Sequence, residues 1–365
     1  MSRKTFPTSY AEGRARFVDL VNASDGTLES HEHPLRGPTG EPLFLDVGSW
    51  GDPGAATAVV LVAGTHGIEG FAGSGIMATL LGEDLHERTP DNVKLMMIHA
   101  LNPHGFAWER RVNEDNIDLN RNFVDHNSSY PDNPHYGDLA GIVTPGRWAT
   151  ETPSEITAAL REFKQQHGVS ATAVLSMGQY EYPDGFFYGG NAPAWSNTLL
   201  TRIAANHLAT AEHVYDIDIH TGLGPFGHGE YIVECAPESR QYQISEAIWG
   251  DGLRSTVTGA SRSTNVSGSA MSGLKAVLGD RLAGMGLEFG TVPMTEVMEA
   301  LIADRWLTYH GERKSELGEQ IRAKMRAAFY PDSNEWCTTI TDTARLVVNQ
   351  ALDYAAAGHR DALGR

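Results

Sequence analysis

The sequence predicts an α/β protein with a mixed, mostly parallel central sheet that helices flank on both faces. The first observation is the run ATAVVLVAG at residues 56–64, a continuous apolar and β-branched segment typical of a buried parallel strand. A small-residue helical pattern, GFAGSGIMATLL, follows it. The second observation is another apolar run, VKLMMIHALNP, which Asn102 and Pro103 terminate. Strand, helix and strand in this order form a βαβ unit, which implies parallel pairing.

Later apolar runs continue this alternation. Four short runs are predicted to be strands because they are apolar and bounded by polar or glycine-containing segments; they are ATAVLS, HVYDIDIH, GEYIVECA and AGMGLEFG, at residues 171–176, 213–220, 229–236 and 283–290. The segment NTLLTRIAANHLAT is predicted to be a helix, and the chain from Met294 onward is predicted to be mostly helical.

The segment at residues 124–150 is rich in Asn, Pro, Gly and Asp, which predicts a long surface loop. A helix is predicted directly after it. Thr152 is a candidate cap, Pro153 suits the first helical position, and Glu155 would complete a capping box. We expect this helix to end near Gly168.

The chain has 365 residues, with no internal repeat and no segment that has the composition of a linker. We therefore expect a single domain over residues 1–365. The motif-bearing core would span about 40–310, and a helical segment would follow at about 311–365.

Composition restricts the partners and the compartment. The formal net charge of −18 disfavours binding to nucleic acid or to an anionic membrane, so we expect a small-molecule substrate. No apolar run reaches the length of about 18 residues that a membrane helix needs, and no signal peptide is visible, which predicts a cytoplasmic protein. The two cysteines, Cys235 and Cys337, are expected to be free thiols rather than a disulfide.

A candidate metal site lies at the ends of two predicted strands. A catalytic zinc site usually takes three protein ligands and leaves one position open. His66 and Glu69 follow the 56–64 strand in a glycine-rich loop, where a turn would bring both side chains to one side. His220 ends the 213–220 strand, and Asp218 lies two residues earlier on the same face, where it could orient the imidazole.

Two further segments carry candidate functional groups. The stretch 102–123 contains arginines and asparagines in a loop-like sequence, the donors that grip a carboxylate; they are Arg110, Arg111, Asn113, Asn116, Asn120, Arg121 and Asn122. Glu288 ends the 283–290 strand among apolar residues, where burial would raise its pKa and suit it to act as a general base. Taken alone, it could equally be a core glutamate paired with an arginine.

Together these segments resemble the zinc carboxypeptidase family and related deacylases such as aspartoacylase and succinylglutamate desuccinylase. The shared order is His-x-x-Glu, Asn-Pro-x-Gly, an arginine with Asp-Leu-Asn-Arg-Asn-Phe, a strand-end His, and a late Glu. The segments HTGLG and GQYEYPDGFFYGG are most similar to the DUF2817 branch of that clan. The similarity runs from about residue 40 to 310, and it implies a carboxypeptidase-like sheet with one zinc ion per chain.

The resemblance also implies a role for each matched residue. His66, Glu69 and His220 match the zinc ligands, and Glu288 matches the glutamate that activates water. Asn120 and Arg121 match the pair that binds the free carboxylate of the substrate. Arg111 matches the arginine that polarises the scissile carbonyl, with Arg110 as the adjacent alternative.

Several alternatives remain open on the sequence alone. The tyrosine that covers the substrate in carboxypeptidases has no clear match among Tyr180, Tyr182, Tyr188 and Tyr231. The substrate is therefore either a small peptide or an N-acyl amino acid, and a zinc-binding or ligand-binding protein without turnover is a third possibility. Manganese or cobalt would suit the same ligand types, and the oligomeric state is open. A serine hydrolase is disfavoured because neither Ser74 nor Ser176 lies in a Gly-x-Ser-x-Gly motif.

Overall fold

A computed structural model describes residues 2–358 of the chain. Its centre is one sheet of eight strands in the order β1-β2-β4-β3-β5-β8-β6-β7. The strands are β1 Thr27–Arg36, β2 Pro42–Trp50, β3 Thr57–Ala63, β4 Val93–His99, β5 His213–Phe226, β6 Gly229–Val233, β7 Leu253–Ser255 and β8 Leu282–Gly290.

The four central strands, β4, β3, β5 and β8, pair in parallel, whereas β1, β2 and β6 each join the sheet through antiparallel pairs. The predicted fold class, a mixed and mostly parallel sheet, is confirmed. In β3 and β4 every residue is buried, as expected for strands covered on both faces.

Twelve α-helices cover the sheet within residues 2–358. They are α1 Tyr10–Ala23, α2 Gly70–Gly82, α3 Pro103–Ala107, α4 Tyr136–Val143, α5 Thr152–His167, α6 Ala171–Ser176, α7 Trp195–His207, α8 Arg240–Trp249, α9 Ala270–Leu278, α10 Met294–His310, α11 Glu316–Phe329 and α12 Asn334–Ala356. None of these helices combines the length and the apolar composition that a membrane span needs.

Two apolar cores lie on opposite faces of the sheet. Alternate residues of β3 belong to different cores, as Leu61 packs in one and Val60 in the other. The first core receives apolar side chains from α2 and α12, and the second receives them from α7 and α9. Helices therefore cover both faces, as predicted. The two cysteines are free, as predicted, with Cys337 buried and Cys235 partly buried.

The strand predicted at residues 171–176 is wrong, because this segment is the helix α6. Its buried residues are Ala171, Val174 and Leu175, a helical spacing that leaves Ala173 exposed to solvent. A run of six residues, four of them apolar, is too short to separate a strand from a helical turn by periodicity. The other three predicted strands are confirmed: residues 213–220 and 283–290 lie within β5 and β8, and β6 covers the first part of 229–236, ending at Val233.

Two details before α6 also differ from prediction. The segment 124–150 is not entirely loop, because it contains α4, which buries Tyr136, Leu139 and Val143 on one side. No capping box forms at the start of α5: Thr152 already belongs to the helix, and its hydroxyl accepts a hydrogen bond from Ala149 N instead. The end of this helix at Gly168, in a left-handed conformation with φ of 72°, is confirmed.

Three elements at the N-terminal end were not predicted from the sequence. They are the helix α1 and the strands β1 and β2, and the two strands extend the sheet at one edge. In β1 the sequence TLESHEHPLR is charged and mostly exposed, so it lacks the apolar alternation that indicates a strand.

Candidate metal centre and active site

The loop between β3 and α2 places two candidate metal ligands. The strand ends at Ala63, His66 has an extended backbone, and a short 3-10 turn over Gly67–Glu69 leads into the helix. At Gly67 the chain runs against neighbouring backbone, because an added Cβ would lie 2.0 Å from the carbonyl carbon of Gly105. This position therefore requires glycine, and the turn carries His66 and Glu69 to the carboxyl end of β3.

The same loop is hydrogen-bonded to the stretch that carries the candidate arginines. Gly67 N donates to Arg111 O at 3.0 Å, and Ile68 N donates to Arg110 O at 2.8 Å. Backbone bonds thus set the distance between the His66 loop and Arg111, as the resemblance requires.

His66, Glu69 and His220 converge at one buried point, with one ligand atom from each lying within 4.8 Å of the others. His66 Nδ1 is 2.9 Å from Glu69 Oε1, and His220 Nδ1 is 2.9 Å from Glu69 Oε2. Burial acts to raise the pKa of the Glu69 carboxyl, but the two imidazoles outweigh it and leave the pKa lowered. Two imidazole nitrogens and a carboxylate are a donor set that fits zinc.

The far nitrogens of both imidazoles contact carboxylates. Asp218 Oδ2 lies 2.9 Å from His220 Nε2, and Thr65 donates to the same carboxylate at 2.8 Å. Asp118 Oδ1 lies 3.2 Å from His66 Nε2. Carboxylates in this position orient metal-binding histidines. The contact predicted for Asp218 is present, whereas Asp118 was not singled out from the sequence, although it begins the Asp-Leu-Asn-Arg motif.

Glu288 stands beside this cluster on β8. It is level with His220 on the adjacent parallel strand, and its Oε1 accepts a hydrogen bond from Leu223 N at 3.0 Å. Burial, followed by the negative charge of Glu69, raises the pKa of Glu288 to about 8. The predicted elevation of this pKa is therefore present, and no arginine within residues 2–358 forms an ion pair with Glu288.

Arg111 and Arg110 point to different places. The Arg111 guanidinium bonds Asp118 Oδ2 at 3.0 Å and Glu69 Oε1 at 3.3 Å, so it lies against the candidate metal ligands. Arg110 instead bonds Asp304 at 3.1 Å. The structure thus brings Arg111, not Arg110, to the site.

Asn120 and Arg121 lie beside His220 on the other side. The Asn120 amide nitrogen is 3.5 Å from His220 Nε2, and its carbonyl accepts from Ala270 N at 2.9 Å. Arg121 is buried and donates to Ser176 O at 2.6 Å. Its Nε has no hydrogen-bond partner within residues 2–358, and burial lowers the pKa of its guanidinium. Its Nη1 lies 3.9 Å from Asp118 Oδ1, and a guanidinium is a group that also suits an anionic ligand.

The other asparagines of the 102–123 stretch are structural. Asn102 caps α3 by accepting from Gly105 N at 2.7 Å, which explains the Asn-Pro-x-Gly motif. Asn113 accepts from the Ile117 backbone, and Asn116 donates to Gly185 O. Asn122 donates to Gly189 O at 2.8 Å. The whole 102–123 stretch was predicted to bind a carboxylate. The residues that remain candidates for this role are Arg111, Asn120 and Arg121.

These groups face one cavity of ≈ 360 Å³, which we call the catalytic cavity. Its lining includes His66, His220, Glu288, Arg111, Asn120 and Arg121. Polar residues that the sequence did not single out also line it, among them Glu234, Arg262 and Ser269. Ser269 donates a hydrogen bond to Glu234 at 2.5 Å. Glu234 follows directly after the strand β6, and this position was the sequence feature that could have identified it as a site residue.

No tyrosine lines this cavity among the described residues. Tyr180 donates its hydroxyl hydrogen to Arg121 O at 2.6 Å and stacks on Tyr130. Tyr182 packs against Tyr136. The sequence has no clear match to the substrate-covering tyrosine, and the described residues of the cavity wall include no tyrosine that could take this role.

The family model described as protein of unknown function, DUF2817, matches residues 6–343. The chain therefore belongs to the DUF2817 family, in agreement with the resemblance of the HTGLG and GQYEYPDGFFYGG segments. No functionally curated protein matches the chain.

Solved structures that are similar to the chain include a carboxypeptidase, a fibrinolysis inhibitor and a desuccinylase. Carboxypeptidase A from Helicoverpa armigera has a TM-score of 0.46 at 13% identity, over 88% of this chain and 73% of that one. Bovine thrombin-activatable fibrinolysis inhibitor has a TM-score of 0.48 at 10% identity, over 96% of this chain and 97% of that one. A succinylglutamate desuccinylase from Silicibacter sp. TM1040 has a TM-score of 0.41 at 12% identity, over 78% of this chain and 67% of that one.

Proposed function

We propose that this protein is a zinc-dependent hydrolase that cleaves an amide bond in a small peptide or peptide-like substrate bearing a free carboxylate. The observation that carries the proposal is the convergence of His66, Glu69 and His220 at one buried point beside Glu288. A purely structural ion site needs no basic carboxyl group next to it, whereas hydrolysis needs a group that accepts a proton from water.

His66, Glu69 and His220 would hold one zinc ion per chain, and manganese or cobalt would suit the same donors. When bound, the ion supplies Lewis-acid activation of water and of a carbonyl group. Asp218 and Asp118 hold the two imidazoles from behind, so that both Nδ1 atoms remain directed at Glu69. The chain thereby presents its donors in a fixed arrangement.

Glu288 is proposed to take a proton from the attacking water and then to deliver it to the leaving nitrogen. Burial raises its pKa to about 8 when no cation is bound, so the charge of the ion would be needed to keep it as the carboxylate that accepts a proton. Leu223 N holds its orientation through one oxygen. Arg111, bonded to both Asp118 and Glu69, would stabilise negative charge that develops on the carbonyl oxygen.

Asn120 and Arg121 are proposed to bind the free carboxylate of the substrate. The two side chains line the same cavity as Glu288, and the guanidinium charge of Arg121 would attract a carboxylate. Binding at this point would fix the position of the amide relative to the proton-accepting carboxyl group. The whole chain, residues 1–365, is taken as one catalytic domain that acts in the cytoplasm on small molecules, without nucleic acid or membrane.

Two alternatives use the same residues. An N-acyl amino acid deacylase would employ the same base and the same carboxylate-binding pair. A zinc-binding or ligand-binding protein without turnover would need the donors but not Glu288, which argues against it.

The test is hydrolysis of blocked dipeptides and of N-acetyl and N-succinyl amino acids, each paired with its C-terminal amide. We expect turnover only after zinc is loaded and only with the free carboxylate. Zinc-loaded protein that hydrolyses none of these compounds would support the binding-protein alternative, and equal turnover of the amides would remove Arg121 from its proposed role.

A further inference from the structure

A second cavity adjoins the catalytic cavity. This side groove, of ≈ 300 Å³, lies between α5 and α10. The two cavities share wall residues at the N-terminal ends of α6 and α10, namely Ser170, Thr172, Met294 and Met298. The side groove therefore borders the catalytic cavity at these four residues.

The wall of the side groove is mainly apolar. Trp148, Ile156, Leu160, Met294, Met298 and Ile302 form it. Polar side chains lie mostly at its exposed rim, where Arg161 and Lys164 project from α5. The groove is thus a place where apolar surface can be removed from water beside a polar catalytic cavity.

We propose that the side groove binds a long, unbranched acyl chain, so that the substrate is a long-chain N-acyl amino acid. This inference rests on the proposed function and chooses the class of its substrate. The groove walls come largely from α5 and α10, and beyond the first turn of each helix the backbone donors and acceptors bond within the helix. A peptide would bury amide groups against these walls without partners, whereas an alkyl chain has none to satisfy.

The positions of the two ends of α6 indicate how the substrate would be oriented. Arg121 donates to Ser176 O at the C-terminal end of this helix, and the side groove opens at Ser170 and Thr172 at its N-terminal end. Six helical residues separate these ends by about 9 Å. An amino acid carboxylate held at Arg121 would leave the amide in the catalytic cavity and direct the acyl chain into the groove.

The reaction is ordinary hydrolysis. The C–N bond of the amide breaks, a C–O bond forms to the oxygen of water, and a proton from that water passes to the nitrogen. The products are a fatty acid and a free amino acid, and no oxidant or further reactant is needed.

The test measures kcat/KM on zinc-loaded protein for acetyl, octanoyl and dodecanoyl derivatives of one amino acid, below their micelle-forming concentrations. We expect kcat/KM to rise about fourfold for each methylene that enters the groove. Leu160→Asp should abolish most of this rise. Leu346→Asp, which changes an exposed leucine on α12, is the matched control and should retain it.

Direct binding separates this inference from the proposed function. Calorimetry of the dodecanoyl and acetyl compounds on metal-free protein needs no turnover. Affinity that rises with chain length and falls in Leu160→Asp supports the groove assignment even if no amide is hydrolysed. Hydrolysis or binding that is indifferent to chain length, or a gain only with apolar peptides, would overturn it while leaving the proposed function intact.

Discussion

His220 on β5 and Glu288 on β8 lie opposite each other on two neighbouring parallel strands. Residues level with each other in such a pair direct their side chains to the same face of the sheet. The strand register therefore places His220, a candidate metal ligand, beside Glu288, the candidate general base. Glu69, whose Oε2 is 2.9 Å from His220 Nδ1, reaches the same point from the loop after β3.

Replacing Glu288 by glutamine is expected to lower kcat about a hundred- to ten-thousand-fold, because the amide cannot accept a proton from water. Zinc content should not change, since Glu288 is not among the three donors. Steady-state kinetics with elemental analysis of the same sample checks both points. Glu296→Gln, at an exposed site in the first turn of α10, is the control. Normal turnover in Glu288→Gln would exclude this residue as the base.

Arg121→Met is expected to raise KM about 10- to 100-fold for a substrate with a free carboxylate, the loss of one charge-assisted interaction. The KM of the corresponding C-terminal amide should change little, because it has no charge for Arg121 to bind. The ratio of the two KM values is the measurement. An equal effect on both substrates would indicate that Arg121 acts only through its bonds to Ser176 and Asn120.

Asp218→Asn is expected to weaken zinc binding about 10- to 100-fold, because the carboxylate that orients His220 is lost. Competition with a chelator measures the affinity. Asp216→Asn is the matched control on the same strand: Asp216 is buried, neither of its carboxyl oxygens has a partner within residues 2–358, and burial raises its pKa well above the ordinary value. Asn resembles that neutral acid, so the zinc affinity should stay the same. Equal affinities in both variants would contradict the role of Asp218.

Stability should fall in mild acid because of His99. Burial lowers the pKa of His99 to about 4, while its ring stacks on Phe17 and its Nε2 bonds Ser74. Because the unfolded chain takes up this proton near pH 6.5, the stabilisation is complete above that pH and is lost as pH falls toward 4. The loss amounts to about 3 kcal/mol.

Denaturant unfolding at pH 7 and pH 5 measures this effect. In His99→Gln the difference between the two values should shrink, whatever the absolute stability of the variant. His228→Gln, at an exposed site, should keep the parent difference. An unchanged pH dependence in His99→Gln would contradict the assignment.

The central strands could be predicted because each is a buried apolar run that ends at a glycine or a polar loop, as β3 does. The edge strand β1 could not, because one of its faces meets solvent and its sequence is charged. Helix α6 was predicted as a strand because a segment of six residues, four of them apolar, shows no clear hydrophobic period. Tertiary packing of Ala171, Val174 and Leu175 decided the outcome.

The candidate site was predictable where its residues follow strands and motifs, as His66, Glu69 and His220 do. Contacts between distant segments were not. Arg110 and Arg111 are adjacent in sequence, so the sequence alone does not show which of them reaches the site. The structure distinguishes them because Arg110 pairs with Asp304, 194 residues away. Likewise the bonds of Asn116 to the backbone near Gly185 could not be inferred from composition.

The most direct test of the proposed metal centre is the zinc content of the purified protein, measured by elemental analysis for the parent chain and for His220→Ala. We predict about one zinc per chain in the parent and a loss of that zinc in the variant, because His220 brings a donor from β5 to the loop that holds His66 and Glu69. A parent chain that binds no zinc even after reconstitution, or a His220→Ala variant that keeps full occupancy, would contradict the claim.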